Sequence, residues 1–324
     1  MDKVTLLRWE ALTKRDFDGI DRARAVVLVT CSPLEVHGPH LPMGADALEG
    51  EGLAERMLRF LPERHTGRTF LKLPMIYAAT DTVPQPGSLF FQPATTIRVL
   101  TDLGRTLAAQ GFRNVVVSNF HGGPRHFLAI EKACRRANRR YGSRMASLFS
   151  LLISRLTQGT SNLDDVLSHI PGIEGNDLRG DMHGGLVETS MLLALHGGWV
   201  DPDYKHLPRL TVDGWRSRRA EVSARSVRRS RNRLSDRLDS LRSSFRFFQQ
   251  NTYSGAPAKA SAEIGEQILD VLGREAAQGV AELLDGTITP EDCHSPIWKV
   301  RFLFLNPLLI RLSNRLLGFR NAIT

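Results

Sequence analysis

Three short stretches of this 324-residue chain concentrate side chains that bind protons and metals. The first is Cys31-Ser32-Pro33-Leu34-Glu35-Val36-His37-Gly38-Pro39-His40-Leu41-Pro42-Met43-Gly44-Ala45-Asp46. The second is Asn119-Phe120-His121-Gly122-Gly123, and the third runs from Asp181 through Met182, His183, Gly184, Gly185, Leu186 and Val187 to Glu188-Thr189-Ser190. Glu35 and His37 are two residues apart, so an extended segment would turn both to one face. Carboxylates and imidazoles offered without thiolates suit Zn²⁺, Mn²⁺ or Fe²⁺. A carboxylate able to bridge would suit two ions about 3.5–4 Å apart. Each residue also has an ordinary reading. Asp46 alone would be a helix cap, Glu188 alone a partner of a helix dipole, and a histidine beside glycine a loop residue. Their meeting at one edge of one sheet is what turns the reading toward chemistry.

The elements that must position them alternate. β-branched runs at 25–30 and 114–118, and an apolar run from Met145 to Ile153, read as buried strands. Between them lie helical patterns at 47–61, 95–110 and 124–140, with Gly111 placed to end the second. The order predicts an α/β fold, a mostly parallel sheet flanked by helices on both faces. Ligands of such sheets bind beyond the carboxyl ends of the strands, where the first two motifs fall.

These motifs resemble the creatininase (creatinine amidohydrolase) family. The resemblance rests on Glu35-x-His37-Gly38-Pro39-His40-Leu41-Pro42 with Asp46, on Asn119-x-His121-Gly122-Gly123, and on His183-x-Gly185-x-x-Glu188-Thr189-Ser190. The opening Arg8-Trp9-Glu10-Ala11-Leu12-Thr13 and the later stretch from Gly255 to Gly265 extend it, so that it spans roughly 5–200 and 251–285. It implies a binuclear amidohydrolase with two divalent ions (Zn, Mn or Fe), held by Glu35, His37, Asp46, His121 and Glu188, with Asp46 as the bridge. It implies that His183 handles protons at the substrate and that His40 orients a ligand through its ring nitrogen. Leu186 stands where many relatives carry Glu, which points to Glu188 as the ligand. A homo-oligomer is expected on the same ground.

The chemistry fits that implication. Amide hydrolysis at neutral pH needs a strong nucleophile, a polarised carbonyl and a protonated leaving nitrogen. A divalent ion lowers the pKa of the water it binds from ~15.7 to about 7, and a histidine titrates where it can deliver the proton. The substrate-facing loops depart from the family pattern. Gly122 and Gly123 replace the Tyr and Glu of creatinine hydrolases, Asp81-Thr82 stands where relatives read Glu-His, and the turn at Gly87-Ser88 is kept. The expected substrate is therefore a small amide, cyclic amide or formamide. A peptidase trimming a small modified peptide, and an inactive relative kept as a binding or scaffold protein, are the alternatives.

Hydrophobic residues make up 42% and charged residues 24%, which excludes wholesale disorder. Three cysteines are too few for a disulfide framework. The charged N-terminus offers no signal-peptide core. A cytoplasmic location is the expectation. The net charge of +9 is unevenly placed. Residues 213–248 hold eleven Arg against four acids, and residues 293–324 hold five basic residues and no acid. Those two segments exceed the total, so the remainder is mildly acidic and the basic pI says nothing of the substrate. The reading is a catalytic domain from 1–212 plus 249–292, an Arg-rich helical insertion at 213–248 and an amphipathic tail at 293–324. In the insertion Ala220, Ala224, Val227, Leu234, Leu238, Leu241, Phe245 and Phe248 form one apolar stripe. Packing on the protein's own surface, peripheral contact with the inner face of a membrane, or an acidic partner would each suit these segments. Nucleic acid is disfavoured because no aromatics are interleaved with the arginines. Pro307 should break the tail into two short helices.

Overall fold

The structure, a computed structural model, describes residues 4–158, 163–223, 243–244 and 246–317. Five parallel strands form one sheet in the order β1-β3-β2-β4-β5: β1 Thr5–Arg8, β2 Val26–Thr30, β3 Thr69–Lys72, β4 Asn114–Ser118 and β5 Arg144–Ser147. β2 and β4 are buried at every position, as strands covered on both faces must be. Alternate residues serve opposite layers. Val26, Leu28, Val116 and Ala146 pack with Leu53 and Met57 of α1 (Ala45–Arg59), Leu151 of α4 (Leu148–Gln158) and Ile268 of α7 (Ala262–Asp285). Val27, Val29, Val115, Val117 and Met145 pack with Leu100 and Leu107 of α2 (Pro93–Ala109) and Ile130 and Ala133 of α3 (Pro124–Tyr141). The α/β arrangement read from the sequence is therefore present.

The terminators are those the residues dictate. Prolines occupy the first turn of α2 and α3. Gly111 and Gly142 take left-handed conformations after them. One expectation fails. The run from Met145 to Ile153 is not one strand, because β5 ends at Ser147 and α4 begins at Leu148. The Ser147 hydroxyl accepts the Ser150 N–H at 3.2 Å, a helix cap. A continuous apolar run has no period to separate buried strand from buried helix. Further helices include α5 (Leu186–His196), α6 (Val212–Ser223), α8 (Arg301–Leu305) and α9 (Pro307–Leu317). Pro307 does divide the tail: it opens α9, whose first N–H groups are capped by the Asn306 side chain. Of the amphipathic insertion, the stripe positions from Ala224 to Leu241, and Phe245, lie outside the described residues.

β2 feeds α1 on one face of the sheet and β4 feeds α3 on the other, so the chain diverges between these two strands. That divergence opens a crevice at their carboxyl ends. α1 closes tightly over it. A Cβ at Gly50 would lie 2.9 Å from the Asn119 Cα, and the Ser118 hydroxyl donates to the Gly50 carbonyl at 2.6 Å.

Candidate metal centre

The loop after β2 carries Glu35 and His37 into the crevice, and the start of α1 delivers Asp46. His121 follows β4, and Glu188 comes from the first turn of α5. Glu35, His37 and Asp46 are at most 1% exposed. The orientation of each imidazole is fixed from behind. His37 Nδ1 lies 3.0 Å from the Glu35 carbonyl oxygen, and His121 Nε2 lies 3.1 Å from that of Thr80. A carbonyl only accepts, so those nitrogens carry the hydrogens. The opposite nitrogens, His37 Nε2 and His121 Nδ1, then point inward.

Those inward nitrogens meet carboxylates. His37 Nε2 is 3.2 Å from Asp46 Oδ1 and 3.8 Å from Glu188 Oε2. His121 Nδ1 is 3.1 Å from Glu35 Oε2 and 3.3 Å from Asp46 Oδ2. Three three-donor groups result, each with its donor atoms within 4.8 Å of one another: Glu35/His37/His183, and the pair Glu35/Asp46/His121 and His37/Asp46/Glu188. Asp46 belongs to both and gives one oxygen to each histidine. Glu35 Oε2 and Asp46 Oδ2 are buried without a hydrogen-bond partner. Buried acceptors left so are costly unless a cation completes them. The residues present therefore fit divalent metal.

Charge in the crevice says the same. Burial opposes a charged His37, yet the carboxylates of Asp46, Glu188 and Glu35 overcome it and lift the imidazole to about 10. His121 is likewise raised against burial by Glu35 and Asp46. Asp46 is held well below the ordinary carboxylate range, against its own burial, by the two histidines. Glu188 is pushed up to about 7 by burial and by Asp46. The carboxylates thus draw positive charge into a place with almost no water.

His183 stacks on His37 with ring centroids 4.0 Å apart, and its Nε2 faces the Val36 carbonyl oxygen at 2.7 Å. Burial and the neighbouring His37 lower it to about 4, so it stands neutral with Nδ1 as its free nitrogen. His40 stands behind the third motif. Its Nε2 lies 2.8 Å from the Thr189 hydroxyl, so it steadies the residue after Glu188. Leu186 is fully buried in the core and does not enter the crevice.

The substrate-loop residues divide. Asp81 turns its carboxylate away to cap α3, accepting the Arg125 N–H at 2.7 Å and pairing with the Arg125 side chain. It does so with φ of +67°, the sole non-glycine with positive φ among the described residues. Thr82 is buried, and the next N–H, of Val83, donates to Glu35. Ser88 accepts the Val36 N–H at 3.1 Å, and Gly87 packs beside Val36, so both brace the first motif. Gly122 borders open space. A Cβ on Gly123 would sit 2.4 Å from His121 Nε2. The glycine is what lets His121 reach Thr80.

Several contributors were given no role in the site by the sequence. Asp181 accepts N–H groups from Leu186 and Val187 and so anchors the start of α5. Phe248, at the end of the basic insertion, packs edge-on against His183 at 5.7 Å, and Gln85 ties it down through the Phe248 and Gln249 carbonyls. Glu49, one turn after Asp46, is wholly buried with both oxygens unpaired, and burial with Glu188 and Asp46 nearby raises it well above the carboxylate range.

A sequence profile of the creatinine amidohydrolase family matches residues 10–280. The chain belongs to the creatininase family. No protein of curated function matches it in sequence. Solved creatininases share its fold. A creatinine amidohydrolase is 21% identical, with a TM-score of 0.55 over 87% of this chain and 97% of its own. A manganese creatininase is 20% identical, with a TM-score of 0.54 over 87% and 99%. A mutant creatininase of the zinc–zinc type is 19% identical, with a TM-score of 0.56 over 86% and 97%.

Proposed function

We propose that this chain is a metal-dependent hydrolase of a C–N bond in a small amide, cyclic amide or formamide. The observation that carries the reading is the sharing of Asp46, one oxygen toward each of two histidines that sit in separate donor groups. Glu35, Asp46 and His121 would hold one ion, and His37, Asp46 and Glu188 the other. Zinc, manganese and iron all suit this donor set. When bound, such ions supply an activated water and a Lewis acid for the carbonyl oxygen. The Thr80 and Glu35 carbonyls fix the histidine tautomers. His183, donating from Nε2 to Val36, keeps Nδ1 to take up a proton and return it to the leaving nitrogen. The space beside Gly122 admits the substrate, and Phe248 walls off the His183 side.

A creatininase mutant has been solved with creatine. Creatinine itself is not the substrate proposed here. Gly123 has no room for a side chain while His121 stays where it is, and Glu188 supplies the carboxylate from another element. The three cysteines are free and buried. Screening cyclic amides, formamides and short peptides in Mn²⁺, Zn²⁺ and Fe²⁺ tests the function. Turnover that Glu188→Gln abolishes, with the fold intact, is expected. Two bound ions with no turnover of any substrate would favour the scaffold reading.

A further inference from the structure

The charge that catalysis does not use gathers on the outer side of α3. Lys132, Arg135, Arg136, Arg139 and Arg140 line an open groove of about 560 Å³. Lys299 and Arg301 close it from the tail, and no acidic residue lines it among those described. Lys132 is pushed down by burial and by Arg136 and Arg301, as a cation among uncompensated cations must be. Beside the groove the tail leaves Phe302, Leu303, Leu308 and Leu312 exposed, Leu308 by 72%. Along α9 the exposed side reads Leu308, Arg311, Leu312, Arg315, while Ile310 and Asn314 face inward. Apolar side chains interleaved with arginines on short helices form an interfacial surface.

What would cover this face must bring negative charge. The chain itself has none to spare. Residues 224–242 hold seven Arg against two Asp, and residues 318–324 hold one Arg and no acid. A second copy meeting the same face would set cation against cation. No described helix is long and apolar enough to cross a membrane, so contact would be at the surface. We propose that this face docks the protein on an anionic lipid bilayer. Phe302, Leu303, Leu308 and Leu312 enter the interface, and the groove's cations meet the headgroup phosphates. Single exposed apolar side chains are common on proteins; three leucines and a phenylalanine exposed among arginines on two successive short helices are not.

The test is flotation of the full chain with vesicles of phosphatidylcholine alone and of phosphatidylcholine mixed with phosphatidylglycerol. Binding is expected only to the mixed vesicles and should weaken with salt. Arg136→Ala with Arg139→Ala removes two exposed cations and should cut partitioning roughly 30-fold. Phe302→Asp with Leu308→Asp should cut it more than tenfold. Circular dichroism and melting should be unchanged in both. Equal binding to both vesicle types would overturn the proposal. So would binding that survives both double variants, which would place the contact elsewhere, as in 213–248. Absence of flotation would also overturn it, whether the apolar variant then splits an oligomer, assigning the face to a second copy, or the basic variant loses binding to an oligonucleotide.

Discussion

The crevice between β2 and β4 and the groove on α3 are both dense in charge, and they are organised in opposite ways. In the crevice, negative groups are buried and every inward imidazole nitrogen faces a carboxylate at a fixed distance. In the groove, positive groups are half or fully exposed and face one another. Burial makes opposite charges geometric, because unpaired ions cannot be left out of water. Exposure leaves like charges tolerable, because water and salt screen them. The first pattern suits small cations, and the second is the face proposed to meet an anionic surface. Glu131 lies between the two, on the inner side of α3, where it accepts the Ser295 N–H at 2.9 Å and so ties the tail to the body.

The largest expected effect is in the crevice. His121→Ala should lower metal affinity and hydrolysis by more than the ~10–100-fold that losing an outer hydrogen bond to a ligand costs. Full hydrolysis with stoichiometric metal would break the assignment. Next comes the seam. Burial raises Glu131 to about 7 in the folded protein, above its ordinary 4.5, despite the Ser295 hydrogen bonds. A carboxyl whose folded pKa is raised favours the fold while protonated. Stability should therefore fall as pH rises from about 4.5 through 7, by up to roughly 3 kcal/mol at ~1.4 kcal/mol per unit. Denaturant midpoints of Glu131→Gln should fall less across that window than the parent's, and a variant as pH-sensitive as the parent would remove the seam from the comparison. The smallest effect is Asp81→Asn. Asn tolerates positive φ and keeps the oxygen that caps α3, so the loss of charge opposite Arg125 should cost no more than about 1 kcal/mol. A larger loss would show that the pair matters beyond capping.

Much of the crevice was legible because its donors sit in unbroken strings at strand ends and helix starts. Glu35, His37, Asp46, His121 and Glu188 do converge, and the strands that aim two of those strings were readable from β-branched runs. What escaped were groups whose work is done by backbone or by burial. The Thr80 carbonyl that orients His121 is invisible in a sequence, since every residue has one. Asp181 reads as a loop acid, and Glu49 as an ordinary helix residue, until packing buries it. β1 and β3 have four residues each, too few for a pattern to declare. β5 and α4 merged into one apolar run for the reason given above. Asp81 reads as part of the substrate-facing loop, and only the structure shows that its carboxylate caps the start of α3.

The central claim is that Asp46 joins two ion sites, and counting metal per chain tests it most directly. Elemental analysis of the purified protein should find two ions in the parent, one in His121→Ala, and fewer than one in Asp46→Asn. Two ions retained by Asp46→Asn would contradict the shared-carboxylate centre.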